Sequence, residues 1–548
     1  MSESSNLIES QWDAVIVGTG IGGATLGYAL ARAGRRVLFC ERGDRRAPAV
    51  SLAGEYPESH ADFALATSEG QREALSLAGR YSHFITDCSA TRRRQFIPFM
   101  GSGLGGSSAL YGMAMERLFP IDFVPGSQYP NAPDASLPAA WPISYEELAP
   151  YYTAAEQLYR VCGAGDPLRA SVPRDHLRPP PQLSPVGTRL EDFLSKQALH
   201  PYRVPMACEF VPGCQCCQGY LCPNDCKCDS GRICVQPAIA NHAARLLDRC
   251  DVLWLEATSR RVTGVVCEWR GKRHTLRGKV IVLAAGALES AAILLRSASS
   301  TWPHGLANES GLVGRNLMRH FNDLYAVFLP GMPRGFDNRR KEIAFNDFYQ
   351  LQDQKLGSVQ SFGRLPPAPM LADSMHRDLR QSAMSWTSPL FELLKPALGA
   401  ILRRVVDKSV VLATIIEDLP YSDNRVELLR DSAESSAGSL AIKYRIHPYD
   451  VARIKALRAL MAGVLRPHRY LLIKQAENNQ MLAHACGTCR FGSDPRTSVL
   501  NSSNRAHGVD NLYVVDSSFF PSSGGTNPSL TIAANALRVC DKMVAEFG

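Results

Sequence analysis

Residues 13–43 read DAVIVGTGIGGATLGYALARAGRRVLFCERG, and this stretch leaves the chain little choice of fold. A short apolar run, Ala14 to Val17, meets Gly18, Gly20 and Gly23; a helical apolar pattern follows through Leu30, and a second apolar run ends at Glu41. That order predicts strand, tight turn, helix, strand. Gly18 permits the turn, Gly20 lets a pyrophosphate come up to the backbone, and Gly23 lets helix and strand pack closely. The start of the helix offers N–H groups and a positive dipole end to phosphates. Glu41 closes the second strand where a carboxylate accepts from ribose hydroxyls and repels a 2′-phosphate. We therefore expect a dinucleotide site, and not one for NADP.

A second glycine cluster, GSGLGGSSALYGMA at 101–114, carries too much backbone entropy to form a strand or helix in its first half. It is expected to be a loop pressed against a flat or anionic ligand, with Ser107 and Ser108 offering hydroxyls and capping a following helix. Ser144 and Glu147 form a capping box for another helix. Residues 165–206 are proline-rich and read as a connecting or lid-like stretch. From Asp251 three strands are expected, the last running through VIVLAAGA into a helix, which returns the chain to the nucleotide unit. The fold class is α/β: a discontinuous Rossmann-like domain (10–120, 245–330 and 481–548) carrying an inserted α+β substrate domain on a largely antiparallel sheet (121–244 and 331–480).

The chain has 548 residues, enough for two or three domains at roughly 100–200 residues each. With 45% hydrophobic and 20% charged residues it has an ordinary globular composition. The net charge of +8 is spread out, and no aromatics interleave with the arginines of TRRRQ at 91–95, so no nucleic-acid partner is expected. No secretory signal is visible at the N-terminus, and the expected location is the cytoplasm. The most apolar segment, 390–416, is interrupted by charges and Pro396 and reads as an amphipathic helix running into a strand. Lys395, Arg403 and Arg404 give that helix the make-up of a membrane-surface helix, but membrane contact is not the expectation.

Eight of the 16 cysteines fall between Cys208 and Cys234. Thiols gathered among glycine and proline turns favour a metal site in a reducing compartment, the candidate ligands being Cys214, Cys217, Cys222, Cys226, Cys228 and Cys234. Zinc, an iron–sulfur cluster, and disulfides or free thiols all remain open.

Five stretches in order resemble the glucose-methanol-choline (GMC) oxidoreductases, flavoproteins that bind FAD: 13–43, GLGGSSALYGM at 103–113, VLAAGALESAAILLRS at 282–297, SGLVGRNLMRH at 310–320, and the run from His484 to Leu537. The last, with HACGTCRFG and SSGGTNPSLTIAANAL, is closest to the sugar and polyol dehydrogenase branch. The resemblance implies hydride transfer from a small-molecule alcohol to flavin N5, with His484 as the base and Asn527 as its partner on the substrate oxygen. It also implies cofactor contacts at Gly106, Ser107, Ser108, Val262, Ala285, Asp516, Ser517 and Pro528. Tyr111 stands where relatives often carry asparagine or a histidine that can bond to flavin, so the FAD is expected to be noncovalent, with the Tyr111 hydroxyl on flavin or substrate, or in the core. Cys486 and Cys489 are discounted as a redox pair. Some multisubunit sugar dehydrogenases of this kind hold an iron–sulfur cluster in a comparable insertion, though the spacings here match no ferredoxin run. The electron acceptor is then O2 or a redox partner. The alternative function is a lyase of the same fold that keeps FAD as a structural element.

Overall fold

The computed structural model describes residues 7–45, 52–169, 172, 174–332, 336–337, 339–351, 354–381, 384–429, 438–478, 482 and 484–547. Seven strands build the first sheet: β1 (Gln11–Val17), β2 (Val37–Cys40), β3 (Ala244–Leu247), β4 (Cys250–Ala257), β5 (Val262–Trp269), β6 (Lys272–Leu283) and β7 (Leu512–Val514). Their order is β3-β2-β1-β6-β5-β4, with β7 also on β6. β6 serves two layers: its second half lies parallel to β1 and β7, and its first half pairs antiparallel with β5. The apolar runs of β1 and β2 are buried, as a parallel strand covered on both faces requires. Four helices flank this sheet: α1 (Ile21–Arg32), α2 (Tyr145–Leu158), α3 (Gly286–Arg296) and α4 (Ser529–Phe547). The predicted β1-turn-α1-β2 unit and the three strands from Asp251 are all present.

The second sheet is antiparallel throughout and takes strands from Tyr202–Arg203, His320–Phe321, Leu324–Phe328, Ile343–Phe345, Gly357–Ser361, Val410–Glu417 and Arg469–Lys474. The expected boundary at 330 is therefore displaced, because 320–328 already belongs to this sheet. The inserted unit is also less separate than expected, since α2 packs on α4 and the short helix Gln236–Asn241 packs on α1. Strands Arg425–Leu429 and Ser439–Lys443 do not join the large sheet; they form a small one with Ile85–Asp87 and Arg94–Phe96. The proline-rich stretch contains a helix, Pro185–Lys196, started by Ser184 accepting from the Gly187 amide at 3.0 Å. Its apolar residues Leu190 and Leu194 share a core with the antiparallel sheet, which compensates for the prolines around them.

Candidate active site

One antiparallel bridge creates the centre of the site. Met318 N–H donates to the Cys486 carbonyl at 3.0 Å, and Cys486 N–H donates back at 2.9 Å. Two steps forward on one segment face two steps back on the other, so His320 is brought opposite His484. The rings meet edge to face, centroids 5.0 Å apart, with the two Nδ1 atoms at 3.0 Å. His320 Nε2 lies 2.7 Å from the Gly524 carbonyl oxygen. A carbonyl only accepts, so this nitrogen carries the proton, and neutral His320 accepts at Nδ1. His484 must then donate from Nδ1, which leaves the lone pair on its Nε2. Nε2 makes no hydrogen bond to a described residue, and it is the nitrogen free to take a proton.

His484 sits at φ +62°, a left-handed conformation costing a residue with a side chain about 1–3 kcal/mol. Its neighbours hold it there: Ser517 Oγ donates to Ala485 O at 2.7 Å, Gly487 N–H to Ser517 O at 3.2 Å, and Thr488 Oγ1 to Ala287 O at 2.6 Å. Gly487, at φ +92°, admits no side chain, because a Cβ would stand 2.4 Å from the Asn316 carbonyl oxygen.

Burial pushes His320 down to about 4, against the pull of the Gly524 carbonyl and Glu417. His484 is held well below the ordinary histidine value, first by burial, then by His320 and by the Lys341 ammonium. Lys341 is itself buried and pulled down to about 8 by that burial. Its Nζ and Gln218 Oε1 lie 2.7 and 2.6 Å from where a Cβ on Gly112 would stand, beside Tyr111. A base must be unprotonated to act, so its rate limb falls as pH drops through its folded-state pKa. Removing the Lys341 charge raises that pKa. The pH profile of flavin reduction by substrate in Lys341→Met is therefore expected to show its acid limb at higher pH than in the parent.

The loop 522–528 completes the pocket and is pinned from below. Gly524 N–H donates to Glu417 Oε1 at 3.1 Å, and Gly525 N–H donates to the Tyr349 hydroxyl at 2.9 Å. Tyr349 bonds to Asp122, and Lys355 bridges Asp122 and Glu417. Burial alone would raise the Glu417 carboxyl, but Lys355 and Arg453 outweigh it and hold it low. Asn527 is buried with Oδ1 unpaired. An orphan acceptor of this kind costs about 1–3 kcal/mol, which a ligand donor would recover.

The glycines of the expected nucleotide cradle sit where backbone segments come close together. A Cβ on Gly18 would stand 2.3 Å from the Ala284 carbonyl, and one on Gly23 2.3 Å from Gly18 O, whereas Gly20 has open space within 4 Å. No side chain caps α1 at Gly20, which suits the approach of a phosphate. Glu41 is less free than expected. It accepts from Thr19 N–H (3.0 Å), Thr19 Oγ1 (2.6 Å), Gly43 N–H (3.1 Å) and Gly103 N–H (2.9 Å), clasping the two glycine loops together. A ribose reaches it only by exchanging one of these bonds. Glu41→Ala is expected to loosen both loops, measured as lower FAD content after gel filtration with unchanged bleaching kinetics in the fraction still loaded.

Gly106 packs on Gly20, with 3.1 Å between its would-be Cβ and the Gly20 Cα. Ser107 Oγ accepts from Gly101 N–H at 3.0 Å, and buried Ser108 bonds Gly105 O at 2.7 Å and Ser230 at 2.9 Å. These hydroxyls brace the loop, and only a short turn, Gly106–Ala109, follows in place of the expected helix. Val262 has both backbone groups taken by Asn511, so it ties β5 to the strand before the last helix. Asp516 accepts from Gly286 N–H (3.0 Å), Ser290 Oγ (2.5 Å) and Ser518 (2.9 and 2.6 Å), locking the start of α3, where Ala285 N–H donates to Ser290 Oγ at 3.1 Å. Ser517 holds the His484 segment, and Pro528 precedes α4, accepting from Ile532 N–H at 3.1 Å.

Sequence comparison places this architecture. Two profiles described as GMC oxidoreductase match residues 206–322 and 420–536. A 6'''-hydroxyparomomycin C oxidase of Streptomyces lividus is 31% identical over 96% of this chain and 90% of its own length. The chain belongs to the GMC oxidoreductase family. A 2-methyl-1,2-propanediol dehydrogenase of Mycolicibacterium austroafricanum is 27% identical over 98% of this chain and 96% of its own. The crystal structure of pyridoxine 4-oxidase from Mesorbium loti shares the fold at a TM-score of 0.62 and 20% identity, covering 97% and 99% of the two chains. Membership makes this an FAD-dependent oxidoreductase of CH–OH groups, and none of the relatives named is a lyase.

Two features of this GMC protein escaped the sequence reading. His320 closes the quoted stretch 310–320 but drew no role, and Lys341 lies in a charge run, RRKE, of the kind that normally faces water. The cysteines sort differently from expectation. Cys214, Cys222 and Cys226 do meet, joined by Cys208: Sγ atoms of 208 and 214 are 3.8 Å apart, 214 and 226 3.1 Å, 222 and 226 3.3 Å. Cys217 lies beside Cys222. Cys228 and Cys234 fall outside; Cys234 sits in the turn Gly231–Val235, which packs on α1. Cys228 accepts from Arg232 at 3.6 Å and Cys234 lies 3.7 Å from the Tyr159 hydroxyl. Tyr111 donates its hydroxyl to the Cys228 carbonyl at 2.7 Å, which spends it in the core. Cys486 and Cys489 are buried free thiols, both pushed up by burial.

Proposed function

We propose that this GMC oxidoreductase oxidises a primary or secondary alcohol of a sugar- or polyol-like molecule, with His484 as the base. The observation that carries the reading is the Gly524–His320–His484 chain, which leaves the lone pair on His484 Nε2. FAD, when bound, supplies the acceptor for the hydride. The residues do the rest. His484 Nε2 takes the hydroxyl proton, His320 fixes the tautomer through Nδ1, and buried Asn527 holds the substrate oxygen. The FAD is noncovalent, since Tyr111 offers no imidazole and its hydroxyl is already bonded.

The three-thiol knot of Cys208, Cys214 and Cys226, with Cys222 beside Cys226, supports a metal group. Tetrahedral zinc with Zn–S bonds of about 2.3 Å sets its sulfurs about 3.8 Å apart, so Cys222 would have to swing towards Cys208 and Cys214 to complete such a site. We favour an iron–sulfur cluster, which takes the same ligands and would pair the flavin with a redox partner; without one, O2 becomes the acceptor. Its density of thiols fits the cytoplasm.

One preparation tests these points. Protein made in a cytoplasm and purified anaerobically should show flavin bands plus a broad iron–sulfur shoulder, and an oxidisable alcohol should bleach the flavin without oxygen. Flavin bands alone with zinc by elemental analysis would replace the cluster by zinc. A flavin that turns over substrate without ever bleaching would return the lyase.

A further inference from the structure

Helices Ala368–Gln381 and Ser388–Val406 form a hairpin against the antiparallel sheet. Its inner face closes on Ala368, Ala372 and Leu402. Its outer face does not close on anything described. Leu390, Leu393, Leu394 and Ile401 are 58%, 77%, 52% and 59% exposed, and exposed Ala397 and Ala400 fill the gaps. The spacing is three or four residues throughout, so these side chains make one stripe along the helix. Trp386, 78% exposed, stands at its foot. Of the twelve exposed large apolar side chains among the described residues, five lie in 386–401. Scattered surface leucines need no explanation, but a continuous stripe does.

The charges around it lean one way. Arg377, Arg380, Arg403, Arg404 and Lys408 are exposed. Three nearby acids are paired, Asp373 with Lys395 at 2.5 Å, Asp378 with Lys474 at 2.5 Å and Glu392 with His376 at 2.9 Å, while Asp407 is exposed among the arginines, so the basic groups outnumber the acids that oppose them. No helix among the described residues is long and apolar enough to cross a membrane. An apolar stripe, a tryptophan and a rim of arginines on a non-spanning helix match a surface that lies in the lipid headgroup layer. A second copy fits less well, since a two-fold contact would bring one basic rim against another.

We propose that the 368–406 hairpin is a peripheral membrane-docking surface that seats its leucine stripe in an anionic bilayer. This goes beyond the oxidoreductase reading and does not depend on it.

The test is flotation of the FAD-loaded protein with vesicles of phosphatidylglycerol and phosphatidylcholine in equal parts. The parent should float with them, and salt should weaken the binding. Leu393→Glu/Leu394→Glu should lower binding about tenfold or more, with anaerobic flavin reduction unchanged. Arg403→Gln/Arg404→Gln should weaken binding to these vesicles while leaving flavin reduction intact. The proposal is overturned if the parent does not float, if it binds pure phosphatidylcholine equally well, or if the leucine variant binds undiminished. A parent dimer in gel filtration that the leucine variant abolishes would likewise overturn it, assigning the face to a second copy.

Discussion

Replacing His484 by alanine should slow flavin reduction by substrate about 10²-fold or more, the scale of a lost general base, while FAD stays bound. The cradle and the base lie on separate elements: the glycine loops are joined through Glu41 and Thr19, whereas His484 hangs from the 486–491 segment and the bridge to Met318. FAD content should therefore hold. Stopped-flow reduction without oxygen isolates the step, and the acid limb of its pH profile should vanish along with the group that titrates. His484→Gln, which keeps much of the volume, guards against a collapsed pocket. Reduction at the parental rate in both variants would remove His484 from the reaction.

The second large effect is expected at His320, which touches the base and not the reacting carbon. His320→Ala removes the acceptor for His484 Nδ1–H and frees the imidazole to adopt the other tautomer. Flavin reduction should drop about 10- to 100-fold, mostly in kcat with KM little moved. The acid limb should shift upward, because the smaller side chain relieves the burial that, with His320 itself, depresses His484. His320→Asn offers an amide oxygen to His484 and an N–H towards Gly524, so it should recover part of the loss. A purely structural role would instead lower FAD content and thermal stability together, with no movement of the pH limb.

Much of the fold could be read locally. The 13–43 stretch announced its strand-turn-helix-strand because backbone freedom at Gly18 and close packing at Gly23 are demands of neighbouring residues. The helix over 388–406 was legible in its periodicity, yet which face would remain uncovered was not. Among the cysteines, clustering was plain but membership was not, since the fold sets which thiols face one another. Glu41, Ser108 and Val262 show the same limit: their residue types suit a ligand, and the protein donors and acceptors they also meet come from segments far along the chain or from the folded loop.

By itself the sequence determined the nucleotide-binding architecture and the family, and it singled out one imidazole, His484, as a candidate, because glycine positions and apolar spacing act over a few residues. Tertiary structure alone decided how that imidazole is poised. Its partner lies 164 residues away, reached through a single antiparallel bridge, and the carbonyl that sets the proton's position lies on a third segment. A hydrogen bond needs its two atoms within about 3 Å, and only the folded chain brings such distant segments that close.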